Sequence, residues 1–383
     1  MRTVLVFFGG KSAEHEISVI TGVLTVNSID KNLYNAIPIY VDRKGEWFTG
    51  DRLNDISYYK ENDFESLCPV CIIPNSNALY QIKKSKLKKI SSVECAINCM
   101  HGLNGEDGSL AGLLKLSNIP FASPDIYASS YSIDKDFTKV VLSGLSIEKI
   151  PYVRLFKTPF FARTVEAVKM IEKRFSYPVI IKPCRLGSSI GINVAKDSQS
   201  LIRFLVEAFK YDDKVIVESA LTNFIEINCG AYRKGDKIIV SECEQPITAN
   251  EILSFNDKYL GTKTGAIRKM PADISAEIRN KIRQITEKIY RKSDFIGIVR
   301  MDYIVKDGKV YLNEINTVPG SLAYYLFTDT IKGFTEILND VLDEGIKKYI
   351  NENNRDYSYN SNILSSIQKS GSKIKSVDKN RLR

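Results

Sequence analysis

Only two histidines stand in the 383 residues, His15 and His101, and each lies in a segment crowded with polar residues and glycine. The first segment reads Gly9-Gly10-Lys11-Ser12-Ala13-Glu14-His15-Glu16-Ile17-Ser18, the second His101-Gly102-Leu103-Asn104-Gly105-Glu106-Asp107-Gly108. Either histidine alone would more often be a satisfied core or surface group. Both follow a strand end and sit with glycine, where backbone approaches a ligand closely. Lys182 closes the apolar run Val179-Ile180-Ile181, and the loop Gly187-Ser188-Ser189-Ile190-Gly191 follows five residues later. Such a loop turns backbone N–H groups onto phosphate oxygens; Ser188 and Ser189 add hydroxyl donors, and Lys182 adds a point charge. The order of a P-loop, glycine followed after four residues by Gly-Lys-Ser/Thr, is not met.

A second set has oxygen ligands. Asp302, Glu314 and Asn316 are hard donors of the kind that hold Mg²⁺ beside a polyphosphate. Glu314 and Asn316 are two apart on a strand and share a face, as do Arg300 and Asp302. The competing reading is an exposed polar hairpin around Asp307-Gly308. Against it, the two acids sit in apolar text, Ile298-Val299 and Val310-Tyr311-Leu312, where an unpaired carboxylate is costly and a divalent ion offsets the cost. Register supplies a constraint. A two-residue turn at Asp307-Gly308 pairs Asp302 with Asn313 and sends Glu314 to the opposite face. Both carboxylates face one ion only if the loop has an odd count or the hairpin contains a bulge, and that irregularity is predicted.

These groups need an α/β scaffold. Residues 3–8 predict a buried strand ending in a glycine turn, with a helix from Glu14–Ser18 and a strand at 36–41. The stretch 44–90 reads as irregular with short strands, and its run Lys83–Lys89 as a solvated face. A strand at 93–100 and a helix at 108–117 precede a break at Pro120–Pro124. Helix from Ser132, strand 151–156, helix 164–174, strands 178–183 and 192–195, helix 198–209 and strand 214–218 follow. After a second break near Leu221 come strands at 224–232 and 236–244, a polar loop at 247–270, a helix at 275–292, strands near 297–305 and 309–315, and a helix at 331–350. There is no internal repeat.

Apolar residues make up 44% and charged residues 26%, ordinary for a globular chain, and no apolar run approaches the roughly 20 residues of a membrane span. Without a cleavage site after the first apolar run, the cytosol is the expected location. Of the net charge of +9, five units sit in residues 361–383, six Lys or Arg against Asp378. What remains is no nucleic-acid footprint; residues 356–383 read as a basic, disordered tail. The seven cysteines read as reduced thiols. Cys68, Cys71, Cys95 and Cys99 have zinc-like spacing, but the second pair lies in strand-like text where cysteine behaves as a small hydrophobe.

The blocks GGKSAEHEIS at 9–18, HGLNGEDGSLAGLL at 101–114, DKDFTK at 134–139, YPVIIKPCRLGSSIGI at 177–192, Glu218 to Glu226, DKYL at 257–260, and RMDYIV with LNEINTVPGS at 300–321 occur in one order. In that order the chain resembles the D-alanine–D-alanine ligase family of ATP-grasp enzymes, from residue 3 to about 350. The resemblance implies a three-domain α/β fold with an N-terminal open parallel sheet: a substrate-binding domain at 1–123, a central subdomain at 124–222, and a C-terminal metal-binding domain at 223–355. It implies ATP, two Mg²⁺ ions with Mn²⁺ as a substitute, D-amino acid substrates, no membrane or nucleic-acid partner, and a homodimer. Glu14 would bind the ammonium of the first D-amino acid, with His101 near the reacting carboxylate. Ser188 and Tyr259 would latch onto Glu14. Lys135, Lys182, Ser189 and Lys258 would hold phosphates, while Glu218, Leu221 and Glu226 would hold adenine and ribose. Asp302, Glu314 and Asn316 would bind the metal, and Arg300 and the Gly320 N–H the oxyanion.

The implied reaction joins two D-alanines through an acyl phosphate for peptidoglycan precursor synthesis. The alternatives are a related ATP-grasp ligase taking D-serine, D-lactate or another acceptor second, and a non-catalytic nucleotide-binding protein; the first strand lacks the glycine fingerprint of a dinucleotide oxidoreductase. Departures from the family pattern fall at Leu186, often glutamate; between Glu218 and Glu226, one residue longer than usual; at 254–259, without an aromatic pair; and at Ser321–Tyr325, where a small hydroxyl residue is usual.

Overall fold

The computed structural model describes residues 1–61, 64, 66–247, 268–356 and 358. Strands β1 (Arg2–Gly9), β2 (Tyr34–Val41), β3 (Trp47–Thr49), β4 (Cys68–Ile72), β5 (Ala78–Lys83), β6 (Lys86–Ser92) and β7 (Cys95–Asn98) form one sheet in the order β6-β5-β4-β3-β2-β1-β7. Beyond Arg2, every β1 side chain is buried. Val4, Val6 and Phe8 enter one core cluster, Leu5 and Phe7 another. With a hydrophobic layer on each face, the strand reads as an unbroken apolar run. The sheet is parallel only across β2, β1 and β7. From β3 to β6 it continues antiparallel, so the stretch read as irregular supplies a wing of the same sheet. β6 is almost wholly exposed, and no apolar alternation marks it. Three strands separate β4 from β7, at about 4.8 Å per strand, so Cys68 and Cys71 stand far from the buried Cys95 and Cys99.

The second sheet is antiparallel, built from β8 (Tyr152–Phe156), β9 (Val179–Pro183), β10 (Asn193–Ala195) and β11 (Lys214–Ser219) in the order β10-β9-β11-β8. The helices Thr164–Arg174 and Ser198–Ala208 bury Val168, Ile171, Leu201 and Leu205 against Val179, Ile181, Val215 and Val217. A capping box between Asp197 and Ser200 starts the second of these helices.

The third sheet contains β12 (Ile225–Lys234) and β13 (Lys237–Val240). β14 (Gln245–Pro246) and β15 (Arg268–Lys269) pair separately, and β16 (Val299–Lys306) and β17 (Lys309–Asn316) complete the third sheet in the order β13-β12-β16-β17. The helix Ala276–Lys292 packs Ile282, Ile289 and Tyr290 on Cys229, Met301 and Ile315. The last helix, Ile331–Asn353, returns to the first sheet, where Ile337, Leu338, Val341 and Leu342 share a cluster with Val4, Val6 and Val23.

Candidate active site

A cleft of about 560 Å³ is walled by loops and strand ends of all three sheets. At the first sheet, Gly9 has φ +89°, and a Cβ there would meet the Val41 carbonyl at 2.2 Å, so only glycine fits the turn. The following helix, His15–Ser28, is stapled to the ends of β1 and β7. The Ser18 hydroxyl accepts the Gly9 N–H at 2.7 Å and donates to the Cys99 carbonyl at 2.7 Å. Ser12 donates to the His101 carbonyl at 2.8 Å. The two histidines part here. His15 lies in the core, with Nδ1 2.8 Å from the Gly10 carbonyl and Nε2 3.2 Å from the Tyr40 hydroxyl; burial lowers its pKa. His101 borders the cleft, and burial together with Arg300 lowers its pKa to about 3.

The glycine loop after β9 lies directly on Glu14. Ser188 donates to a Glu14 carboxylate oxygen, and a Cβ on Gly187 would come within 2.9 Å of both. Ser188 and Ser189 take φ of 50° and 60°, a left-handed conformation that aims successive backbone groups into a concavity. Lys135 opens the helix Lys135–Val141, whose Asp134 cap accepts the Phe137 N–H. Its Nζ donates to the Leu186 carbonyl at 2.6 Å and lies 3.6 Å from Glu314.

Lys182 also borders the cleft, donating to Asn313 at 3.1 Å and pairing with Glu218 at 2.7 Å. The second partner of Glu218 is Lys139, at 2.8 Å. Burial alone would raise the Glu218 pKa, but Lys182 and Lys139 hold it down to about 2. The carboxylate is 1% exposed and sealed behind Lys182. Neither Glu218 nor Leu221 borders the cleft, whereas Glu226, Ile180 and Phe224 do. Between two inward lysines, Glu218 balances their charge.

The β16–β17 hairpin carries the predicted irregularity. Lys306 pairs with Lys309 across Asp307 (φ 49°) and Gly308 (φ 72°), a turn with the twist hairpins favour. Tyr303 pairs with Leu312, but Asp302 pairs with Glu314, so Asn313 is the extra residue. The bulge puts both carboxylates on the cleft wall with Asn316. Arg300 grips Asp302 with two bonds, at 2.7 and 2.8 Å, and Asn316 donates to it at 3.0 Å. This is an all-oxygen donor set suited to Mg²⁺.

Several wall residues escaped the sequence reading. Glu106 accepts the Gly102 N–H at 2.9 Å and the Val318 N–H at 3.1 Å, tying the His101 loop to the segment before Gly320. Burial and the nearby Glu14 raise its pKa to about 8. Arg268 stacks 4.4 Å over the Tyr325 ring and lies 3.7 Å from Glu244. Thr21 sits one cleft-facing step beyond Glu14 on its helix; the seven-residue spacing was the available signal. Lys139, the partner of Glu218 behind the wall, follows Lys135 by four, again one helix face. Lys258 and Tyr259 lie outside the described residues.

Two family models match, D-ala D-ala ligase N-terminus over residues 3–124 and D-ala D-ala ligase C-terminus over residues 141–340. The D-alanine–D-alanine ligase of Thermosipho melanesiensis is 34% identical over 372 residues, covering 95% of this chain and 98% of its own. The crystal structure of the D-alanine–D-alanine ligase from Helicobacter pylori aligns with a TM-score of 0.72 at 29% identity, covering 90% of this chain and 98% of that one. The D-Ala:D-Ser ligase VanG from Enterococcus faecalis aligns with a TM-score of 0.74 at 29% identity, covering 91% and 99%. With both models matched in order and the relatives covered almost end to end, the chain belongs to the D-alanine–D-alanine ligase family.

Proposed function

We infer that the chain is a D-alanine–D-alanine ligase, which uses ATP to join two D-alanines through an acyl phosphate for peptidoglycan precursor synthesis. One observation carries this reading: the Glu14–Ser188 contact, the lysines 135 and 182, and the Asp302–Glu314–Asn316 set face a single cleft. An acid suited to an ammonium group therefore stands beside a phosphate loop and a metal face.

We assign roles on that basis. Glu14 holds the ammonium of the first D-alanine, and Ser188 fixes the carboxylate that does so. Lys135, Lys182 and Ser189 neutralise and orient phosphates. Ile180 and Phe224 offer an apolar wall to adenine, and Glu226 an acceptor to ribose. Glu218 and Leu221, given to the nucleotide by resemblance, stand back from the cleft, and Glu218 serves through Lys182. Asp302, Glu314 and Asn316 hold two Mg²⁺, with Mn²⁺ as a substitute; bound there, the ions supply charge neutralisation to the transferring phosphoryl group. Arg300 and the Gly320 N–H receive the oxyanion charge that develops when the second amine adds. Lys258 reaches the γ-phosphate, and Tyr259 completes the latch with Ser188 and Glu14. A neutral phenol at Tyr259 admits an ammonium co-substrate, which favours the dipeptide over a D-lactate ester.

We divide the chain at 123 and 222, supported by three sheets that each close within one segment. No helix among the described residues is long and apolar enough to cross a membrane, and we place the enzyme in the cytoplasm, as a homodimer. Incubation with ATP, Mg²⁺ and equimolar D-alanine, D-serine and D-lactate, read by mass spectrometry, tests the function. D-Ala–D-Ala is the expected main product; a dominant D-Ala–D-Ser or ester product moves the specificity to residues 321–325.

A further inference from the structure

Ser321, Leu322 and Ala323 occupy the left-handed region in succession, with φ of 51°, 49° and 48°. L-residues rarely hold that conformation singly and very rarely three in a row, so the turn persists only if its surroundings determine it. Leu322 and Ala323 are buried, and the Leu322 N–H closes the turn on the Pro319 carbonyl at 2.8 Å. The Ser321 N–H goes elsewhere, across to the first sheet's helix, where Thr21 Oγ1 accepts it at 3.0 Å.

Thr21 is fully buried, and its Oγ1 also stands 3.1 Å from Nε2 of His101. The hydroxyl has one proton to give. Its oxygen already accepts from Ser321, and Nε2 is the acceptor within reach. A buried hydroxyl proton left without an acceptor carries the full desolvation penalty, so the bond runs from Thr21 to Nε2. Nε2 is then unprotonated, and the neutral ring carries its proton on Nδ1. Nδ1 makes no hydrogen bond among the described residues, and His101 borders the cleft.

We propose that Thr21 is a positioning residue for ligation, its one hydroxyl pinning the left-handed turn beside Gly320 and fixing His101 as the Nδ1–H tautomer that donates to the substrate. The consequence for the reaction rests on the ligase reading; the hydrogen-bond relay does not. It joins two parts of the site with separate tasks, the His101 donor near the first substrate and the backbone that carries the Gly320 N–H. Loss of the relay misplaces both without removing a group that touches substrate.

Two measurements test it. With only two histidines in the chain, 15N-histidine labelling gives two rings in a two-bond proton–nitrogen spectrum, assigned with His101→Gln. In the native protein at neutral pH, His101 is expected as Nδ1–H; an Nε2–H ring or an imidazolium overturns the proposal. In Thr21→Val, kcat for dipeptide formation should fall by about 100-fold, with KM for ATP unchanged and the His101 signal moved toward Nε2–H. Thr21→Ser, which keeps the hydroxyl, should restore the tautomer and most of the turnover. A folded Thr21→Val with native kcat, or a Thr21→Ser as impaired as the valine variant, overturns it. Should the valine variant fail to fold, the native spectrum and the serine variant still decide. Absence of any dipeptide from the native protein defeats the ligase reading alone and leaves the tautomer result standing.

Discussion

Glu218 and the pair Asp302–Glu314 are carboxylates withdrawn from bulk water next to cationic side chains, and the fold treats them in opposite ways. Glu218 is clasped by Lys139 at 2.8 Å and Lys182 at 2.7 Å and has no share in the cleft wall. Asp302 and Glu314 keep 14% and 18% of their side-chain surface and face the cleft, with Lys135 no closer to Glu314 than 3.6 Å. Both line the cleft together with Lys135, Lys182 and Arg300, where a bound cation would meet two carboxylates at once. A sealed ion cluster supports the fold and the placement of Lys182. A carboxylate pair open to a cleft can meet a ligand.

Substitutions at the two places should therefore fail differently. The largest effect belongs to the open pair: Asp302→Asn or Glu314→Gln should cut D-alanine-dependent phosphate release by roughly 100- to 1,000-fold, with the melting temperature preserved. Near-native turnover in either would remove the metal assignment. Glu218→Gln should instead strike stability, by about 3–5 kcal/mol in urea titration, because two buried ammonium groups lose their anion.

The pH dependence of that loss has a defined sign. The folded Glu218 pKa, about 2, lies below its ordinary value of 4.5. Its contribution is present above that ordinary value and fades as pH falls toward 2. The stability gap between the native protein and the Glu218→Gln variant should thus be full at pH 7 and narrow below pH 4.5; a gap that widens in acid contradicts the pairing. Lys182→Ala belongs to both clusters and should raise the KM for ATP by about tenfold, with a modest loss of stability alongside. Removal of residues 361–383 should do least, leaving kcat within about twofold, since the sequence blocks that carry the resemblance end by residue 321.

The sequence made some of this comparison visible. The hairpin is the clearest case: parity in the strand and a turn at Asp307-Gly308 require an extra residue, and Asn313 is that residue. The loop after Lys182 was equally legible, because glycine, serine and lysine keep their chemistry wherever the chain goes. The ion pairs of Glu218 were not legible, because its two partners come from other elements and no spacing between positions 139, 182 and 218 announces a contact. In the antiparallel wing β3–β6, the outer strand β6 was hidden by exposure on both faces. Thr21 and Lys139 were recoverable from helical spacing relative to Glu14 and Lys135. Thr21's partner Ser321 was not, since it lies 300 residues away.

The bulge at Asn313 also governs how this hairpin can change length over evolutionary time. Insertions or deletions of two residues between Asp302 and Glu314 return every flanking side chain to its former face. A change of one within the paired part of β17 does not: it transfers Glu314 and Asn316 to the opposite surface together, unless a second bulge appears or the first is erased, whereas a change of one within the turn alters only the loop count. Length variation in the paired strands is therefore restricted to even steps, while the turn at Asp307-Gly308 is free to change by one residue with the donor set in place.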